Sequence, residues 1–331
     1  MSIMLVHATR GHLVENMFRG DVVAVNADHK IIFSLGEPDK KTYWRSAAKP
    51  FQVLPFIEAD GMKEYGVTNS ELALMCASHG GEAKHVEGVS ELLEKVGFTE
   101  ADLRCGSAPP MHQPSMRSLL KQGQIWSQLH NCCSGKHTAM LALAAMRNYD
   151  TADYERVTHP VQREMLQAVA QSTGMEQEKI GIGIDGCGVP IYYMPLVKMA
   201  GAYALLSQPE KAGTSERCEA LLRISEAMTK NPWYVAGTDR LDTILMEVTQ
   251  GKVLAKLGAD GVYCVSVMNE GIGIALKIES GEVKVIDVVV VELLSRMNLI
   301  SEREKKELDD RLDASIYNHR REKIGKLETV F

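Results

Sequence analysis

The stretch Lys252–Ile278, KVLAKLGADGVYCVSVMNEGIGIALKI, decides how the chain is organised. Three short apolar runs, near Lys252–Leu257, Val262–Met268 and Ile272–Ile278, are separated by glycine-containing turns, which predicts three strands. Similar runs open the chain at Ile3–Ala8, Leu13–Arg19, Val22–Asn26 and Lys30–Leu35, with a hairpin at Asn26–His29. Between the two sets, from about Ser46 to Leu245, apolar residues recur at three- and four-residue spacing. Glu82–Val96, Ser134–Arg147, Pro160–Thr173, Met194–Leu206 and Ser215–Thr229 are read as helices. Thr68-Asn69-Ser70-Glu71 ahead of LALMCA is an N-terminal capping signature. Val283–Ile286 is expected as one more strand, followed by helices over Asp287–Met297 and Ser301–Leu312. The order is strands, helices, strands. Without βαβα alternation a doubly wound sheet is disfavoured, and the prediction is an α+β fold. Its mostly antiparallel sheet combines N- and C-terminal strands, and a helical lobe packs over it. A single unit over 1–331 is expected, with a sheet lobe from about 1–45 and 250–331 and a helical lobe from about 46–249. The groove between the lobes is the expected place for a site.

The 331 residues are 45% apolar and 24% charged, an ordinary globular balance. Net charge is −6 and acidic and basic residues are mixed along the chain, so nucleic acid is not an expected partner. No apolar run approaches the roughly 20 residues that span a bilayer, so no membrane association is expected. The N-terminus lacks a secretory pattern. Seven scattered cysteines, an odd number, argue for reduced thiols and a cytoplasmic protein.

Five segments carry reactive side chains. In Arg45-Ser46-Ala47-Ala48-Lys49-Pro50, serine and lysine stand three apart, so on a helix they share a face. A neutral lysine there is a base for the serine hydroxyl, provided burial or nearby cations lower its proton affinity. In CASHGGE (76–82), Ser78 and His79 precede a Gly-Gly turn that either approaches a ligand or simply ends a helix. HNCCSGKHT (130–138) fails the phosphate-loop pattern at His130 and His137. Cys133 and Cys187 suit a soft metal, but spacing alone favours buried thiols without one. GIGIDGCGVP (181–190) contains a formal dinucleotide fingerprint with no helix after it; Asp185 suits either a substrate amine or a turn. Arg45 or Arg240 of VAGTDR could clamp a carboxylate, and Lys256 closes a strand beside a glycine loop.

RSAAKPFQ, ASHGGE, HNCCSGKHT, GIDGCGVP, VAGTDRLDT and KLGADGVYC occur in one order over about residues 45–264. In that set the chain resembles the rhizobial-type asparaginases of the asparaginase II family. The resemblance implies a fold like that of serine β-lactamases and glutaminases. It implies hydrolysis of L-asparagine to L-aspartate and ammonia by two Ser–Lys pairs, Ser46 with Lys49 and Ser78 with Lys256. It also implies a modulatory zinc ion on Cys133, Lys136 and Cys187, with Cys132 as the neighbouring alternative, and a homodimer. Substrate contacts are expected from Arg45, His79, Asp185 and Arg240. The alternatives are a glutaminase or other Ser–Lys amidase, and a non-catalytic zinc- or amino-acid-binding protein on the same fold. The β-lactamase companions S-D-N and K-T-G are absent, so penicillin chemistry is not expected.

Overall fold

A computed structural model describes residues 1–331. Eleven strands form two sheets. They are β1 (Ile3–Arg10), β2 (Leu13–Asn26), β3 (Ile31–Leu35), β4 (Lys41–Tyr43), β5 (Gly181–Ile184), β6 (Pro190–Pro195), β7 (Val253–Leu257), β8 (Val262–Val267), β9 (Ile272–Ile278), β10 (Ser315–Tyr317) and β11 (Lys323–Thr329). The large sheet runs β10-β11-β1-β2-β9-β8-β7, with β3 beside β2, and every pairing is antiparallel. N- and C-terminal strands therefore share one sheet, as predicted. The small sheet, β4-β6-β5, has no counterpart in the sequence reading.

Two further differences have local causes. Val283–Ile286 is the first turn of a helix, Val283–Arg296, and not a strand. The alternation in VKVI is misleading. Valines and leucines continue at helical spacing through 294, and the Glu282 side chain accepts the Lys284 N–H at the N-terminus. Strands β10 and β11 come after the last helix, where short polar runs give little periodic signal. The Thr68 capping box forms as expected at the start of helix Asn69–Met75.

Both faces of the large sheet are covered. Along β7 the alternation of side chains sends Leu254 into the core beneath the helical lobe, while Val253, Ala255 and Leu257 enter the opposite core. The helical-lobe core includes helix Leu196–Ser207; the other is closed by helices Leu241–Val248 and Val283–Arg296. Lys256 has the parity of Leu254, so its amine is carried under the helical lobe. A third core joins helices Ala83–Lys95, Ser134–Met146 and Pro160–Thr173.

The sheet and helix Leu196–Ser207 meet backbone to backbone at Gly273. A Cβ added there would lie 1.9 Å from Ala200 O and 2.3 Å from Ala204 N. Gly273→Ala is therefore expected to cost about 1–3 kcal/mol or more by overpacking, read as a lower urea midpoint. Gly186→Ala, whose Cβ meets nothing within 4 Å, is the control and should leave the midpoint in place.

Candidate active site

Ser46 lies on a 3₁₀ turn, Arg45–Ala48, that leads directly into the short helix Lys49–Gln52. The Lys49 N–H donates to Ser46 O, closing the i→i+3 turn in which side chains three apart eclipse. Pro50 sits in the first helical turn, where its missing N–H costs little. The turn is pinned from several sides. Trp44 donates its indole N–H to Cys264 Sγ at 3.3 Å and stacks on Phe51, and the Tyr203 hydroxyl donates to Ala47 O at 2.8 Å. Arg45 adopts φ +54°, a left-handed conformation that is unfavourable for a long side chain. Its guanidinium compensates by donating from Nε to Asp185 Oδ1 at 3.0 Å and by pairing with Asp260.

Ser78 comes after helix Asn69–Met75 and is fixed by its N–H donating to Val235 O at 2.9 Å. Its hydroxyl is the centre of the site. Lys49 Nζ lies 3.1 Å from Ser78 Oγ and Lys256 Nζ lies 2.8 Å from it, and both lysines are fully buried. Lys49 also donates to the carbonyls of Ala77 and Cys132, and Lys256 to Leu257 O at 2.9 Å. Sequence spacing pairs Lys49 with Ser46. The amine instead contacts Ser78, and Ser46 Oγ, half-buried, is left without an intramolecular hydrogen bond to Lys49.

Burial pushes the Lys256 ammonium down to about 7; the Lys49 and Arg240 cations act in the same direction, while Asp242 opposes them. Lys256 is thus half-neutral near pH 7. Lys49 meets three acceptors, which matches the three N–H groups of an ammonium. A serine oxygen held between two amines in a buried site can be both deprotonated and stabilised as it gains charge.

The thiol cluster lies next to it. Gly135 lets helix Ser134–Met146 press against the end of helix Asn69–Met75, since a Cβ there would meet Leu74 O at 2.2 Å. Cys133 Sγ, Cys187 Sγ and an Asp185 oxygen lie within 4.8 Å of one another, and Lys136 Nζ is 3.6 Å from Cys187 Sγ. Cys132 and Cys187 donate to Cys133, holding its thiol well below the usual range, with Lys49 and Lys136 adding positive charge. Lys136 is pushed up by the neighbouring Cys187 and Cys133 sulfurs and by Asp185, despite its burial. Two soft sulfurs, an amine and a carboxylate around one point fit a zinc ion by donor chemistry. Cys133 lines this point; Cys132 Sγ stands 3.9 Å from Cys133 Sγ and is less buried.

His79 is fully buried and both nitrogens are engaged. Nδ1 accepts the Gly81 N–H at 3.1 Å, so Nε2–H donates to Ser134 Oγ at 2.9 Å. Burial lowers its proton affinity well below the ordinary value. The ring braces the turn after Ser78, and contact with a substrate would require it to give up one of these bonds. Arg240 lies apart from Arg45. It lines a cavity of about 230 Å³ with Gly80, Met111, His112 and Thr238, and its nearest polar partner is Met111 Sδ at 3.7 Å. Glu82 holds this loop through the Thr238 N–H and hydroxyl at 2.8 and 2.7 Å. Sequence reasoning missed the roles of Glu82, Asp260 and the carbonyls of Ala77 and Cys132, although all four residues stand inside motifs already singled out.

The fold and site define an α+β protein whose sheet and helical layer enclose a lysine–serine–lysine cluster beside a thiol pair. The family model for L-asparaginase II matches residues 6–329, and the chain belongs to that family. No functionally curated protein matches the sequence. Among solved structures, a putative beta-lactamase from Bacteroides dorei DSM 17855 is 12% identical over 83% of this chain and 93% of that one, with a TM-score of 0.43. A beta-lactamase from Mycobacterium bovis is 10% identical over 84% and 94%, at 0.41, and Mglu in its native form at 4.3 M NaCl is 14% identical over 85% and 61%, at 0.39. No helix is long and apolar enough to cross a membrane.

A buried amine with a lowered proton affinity is a stability cost. Lys256→Met is expected to raise the thermal unfolding midpoint at pH 7 by at least about 2 °C. A lower midpoint would mean that the amine is a net structural support.

Proposed function

We propose that the protein is an L-asparaginase that hydrolyses L-asparagine to L-aspartate and ammonia through Ser–Lys chemistry. The observation that carries this reading is the Ser78 hydroxyl held between the Lys49 and Lys256 amines in a chain of the L-asparaginase II family.

Ser46 is the hydroxyl left free at the lip of the buried cluster, and it attacks the side-chain amide carbon. Once substrate brings Ser46 against Lys49, Lys49 passes a proton to Ser78 and Ser78 passes one to the neutral Lys256 amine, the sink, while Lys49 takes the Ser46 proton. The base role thus falls on Lys256, whereas sequence spacing points to Lys49. Ser46 becomes bonded to the acyl carbon, and the C–N bond breaks as the chain returns the proton to the leaving ammonia. Water then cleaves the aspartyl ester by the same proton route, giving aspartate and restoring Ser46. Backbone N–H groups near Ser46 hold the oxyanion. Arg45 and Asp185, paired in this structure, exchange partners when substrate enters: the α-carboxylate goes to the guanidinium and the α-ammonium to the carboxylate.

Cys133, Lys136 and Cys187 would hold a zinc ion. Its positive charge would fix the Asp185 end of the groove and tune substrate affinity. Lys136 would have to give up its proton to bind, so metal uptake releases protons. A homodimer belongs to the same reading and is checked by light scattering. Seven free thiols support a reducing, cytoplasmic setting.

Coupled ammonia release tests the reading with asparagine, glutamine and short amides side by side. Turnover of asparagine is expected to exceed that of glutamine. Ser46→Ala should abolish it, and Ser78→Ala should lower kcat by about 10²–10⁴-fold. Asparagine that binds, seen as a thermal shift, yet releases no ammonia would mark a non-catalytic binder. Preference for glutamine would mark a glutaminase.

The pH profile has a defined sign. Lys256 acts as a base only when neutral, and burial lowers its transition to about 7. The rate should therefore rise with pH through about 7 and level above it; a rate that falls across this range would remove Lys256 from the base role.

Metal analysis after dialysis against zinc should give near-stoichiometric metal in the wild type and in Cys132→Ser. Cys133→Ser and Cys187→Ser should lose it. Loss in Cys132→Ser with retention in Cys133→Ser would transfer the ligand role to Cys132.

A further inference from the structure

Asp242 has so far entered only as the group that opposes the lowering of Lys256. It lies in the first turn of helix Leu241–Val248 and is 1% exposed. That helix runs beside β7, the last strand of the large sheet, whose outer edge has no neighbouring strand. An open edge leaves backbone groups in need of partners. Asp242 Oδ1 supplies one by accepting the Leu257 N–H. Leu257 is the residue after Lys256, and its carbonyl accepts from Lys256 Nζ at 2.9 Å, so the residue held by Asp242 is also the one that steadies the amine. The other carboxylate oxygen, Oδ2, is buried and without a partner, and so is the hydroxyl of Tyr263, the residue paired with Leu257 across β7 and β8. A buried carboxylate oxygen is costly to leave unpaired, and a nearby cation offsets that cost.

We propose that Asp242 is the counter-charge and positioning residue of Lys256, holding the amine against Ser78 through the backbone of Leu257. The inference rests on the assignment of Lys256 as the base and adds what keeps that base in place. Lys49 and Arg240 are cations on the same amine, and both disfavour its protonated form. The thiols of Cys76, Cys132 and Cys264 also face it, from the end of helix Asn69–Met75, the segment before helix Ser134–Met146 and β8. Asp242 is the carboxylate in this set, and it offsets the two cations. Without it, Lys256 would lose its proton so readily that it could not carry one from serine to the leaving ammonia.

The test compares Asp242→Asn, which keeps the acceptor for Leu257 N–H but removes the charge, with Asp242→Ala, which removes both. The titration of Lys256 is read by NMR of protein labelled at lysine Cε, with the resonance assigned by Lys256→Met. For Asp242→Asn the midpoint is expected to fall by about one pH unit or more, and the acid limb of kcat/KM to move down with it. Asp242→Ala should in addition lose kcat by about tenfold or more while KM changes by less than about twofold. Circular dichroism and the unfolding midpoint confirm the fold of each variant. An unchanged Lys256 midpoint in folded Asp242→Asn would overturn the proposal. So would failure of both variants to fold, which would make Asp242 a structural residue only. If the wild type released no ammonia from asparagine, the asparaginase reading would fail, while the NMR midpoints would still decide the role of Asp242.

Discussion

Two lysine amines share one serine oxygen in a buried place, and the rest of the site answers to that constraint. Like charges held at 3.1 and 2.8 Å from Ser78 Oγ cannot both be retained cheaply in a buried setting. The structure divides them. Lys49 is given three acceptors, two of them carbonyls, and Lys256 is given one carbonyl and the serine. The division produces an amine that exchanges its proton near neutral pH beside a hydroxyl already in hydrogen-bond contact.

The supporting elements are placed to keep this arrangement from relaxing. Lys256 cannot withdraw, because its position in β7 directs it under the helical lobe and the next residue is tied to Asp242. Lys49 is fixed by the backbone of two segments, one ending at Ala77 and the other passing through Cys132. The second of these links the amine to the thiol cluster, since Cys133 is the next residue. Cys133 and the carbonyl that holds Lys49 are thus neighbours along the backbone. On the other side, Arg45 accepts a left-handed backbone while its guanidinium reaches Asp185, whose carboxylate also lies against Cys187. Serine turn, amine pair and thiol cluster form one connected polar network, of the kind whose energy does not divide into pairwise parts.

Much of the fold is legible in the sequence, because helical and alternating periodicities are local. The strand–helix–strand order and the helix Pro160–Thr173 come from them directly. Strand β5 is not legible: Gly181 and Gly183 leave it without a β-forming pattern, and only pairing with β6 makes it a strand. VKVI at 283–286 fits a strand as well as a helix over its four alternating residues, and the run of valines and leucines from Val288 to Leu294 decides for the helix. At the site, Ser46, Lys49, Ser78 and Lys256 are identified through their motifs, but their partnership is not. The Lys49–Ser78 contact joins residues 29 apart and the Lys256–Ser78 contact joins residues 178 apart, which no local spacing encodes. Asp242 stands inside the motif VAGTDRLDT and carries no signal there, because its role depends on the edge of a strand that sequence spacing does not bring beside it.

The most direct measurement is neutron diffraction from crystals grown slightly above neutral pD, which counts the deuterons on Lys256 Nζ. Two deuterons, one directed to Leu257 O and the lone pair facing the Ser78 hydroxyl, are the result expected. Three deuterons on Lys256 at that pD would contradict the neutral base on which the chemistry rests.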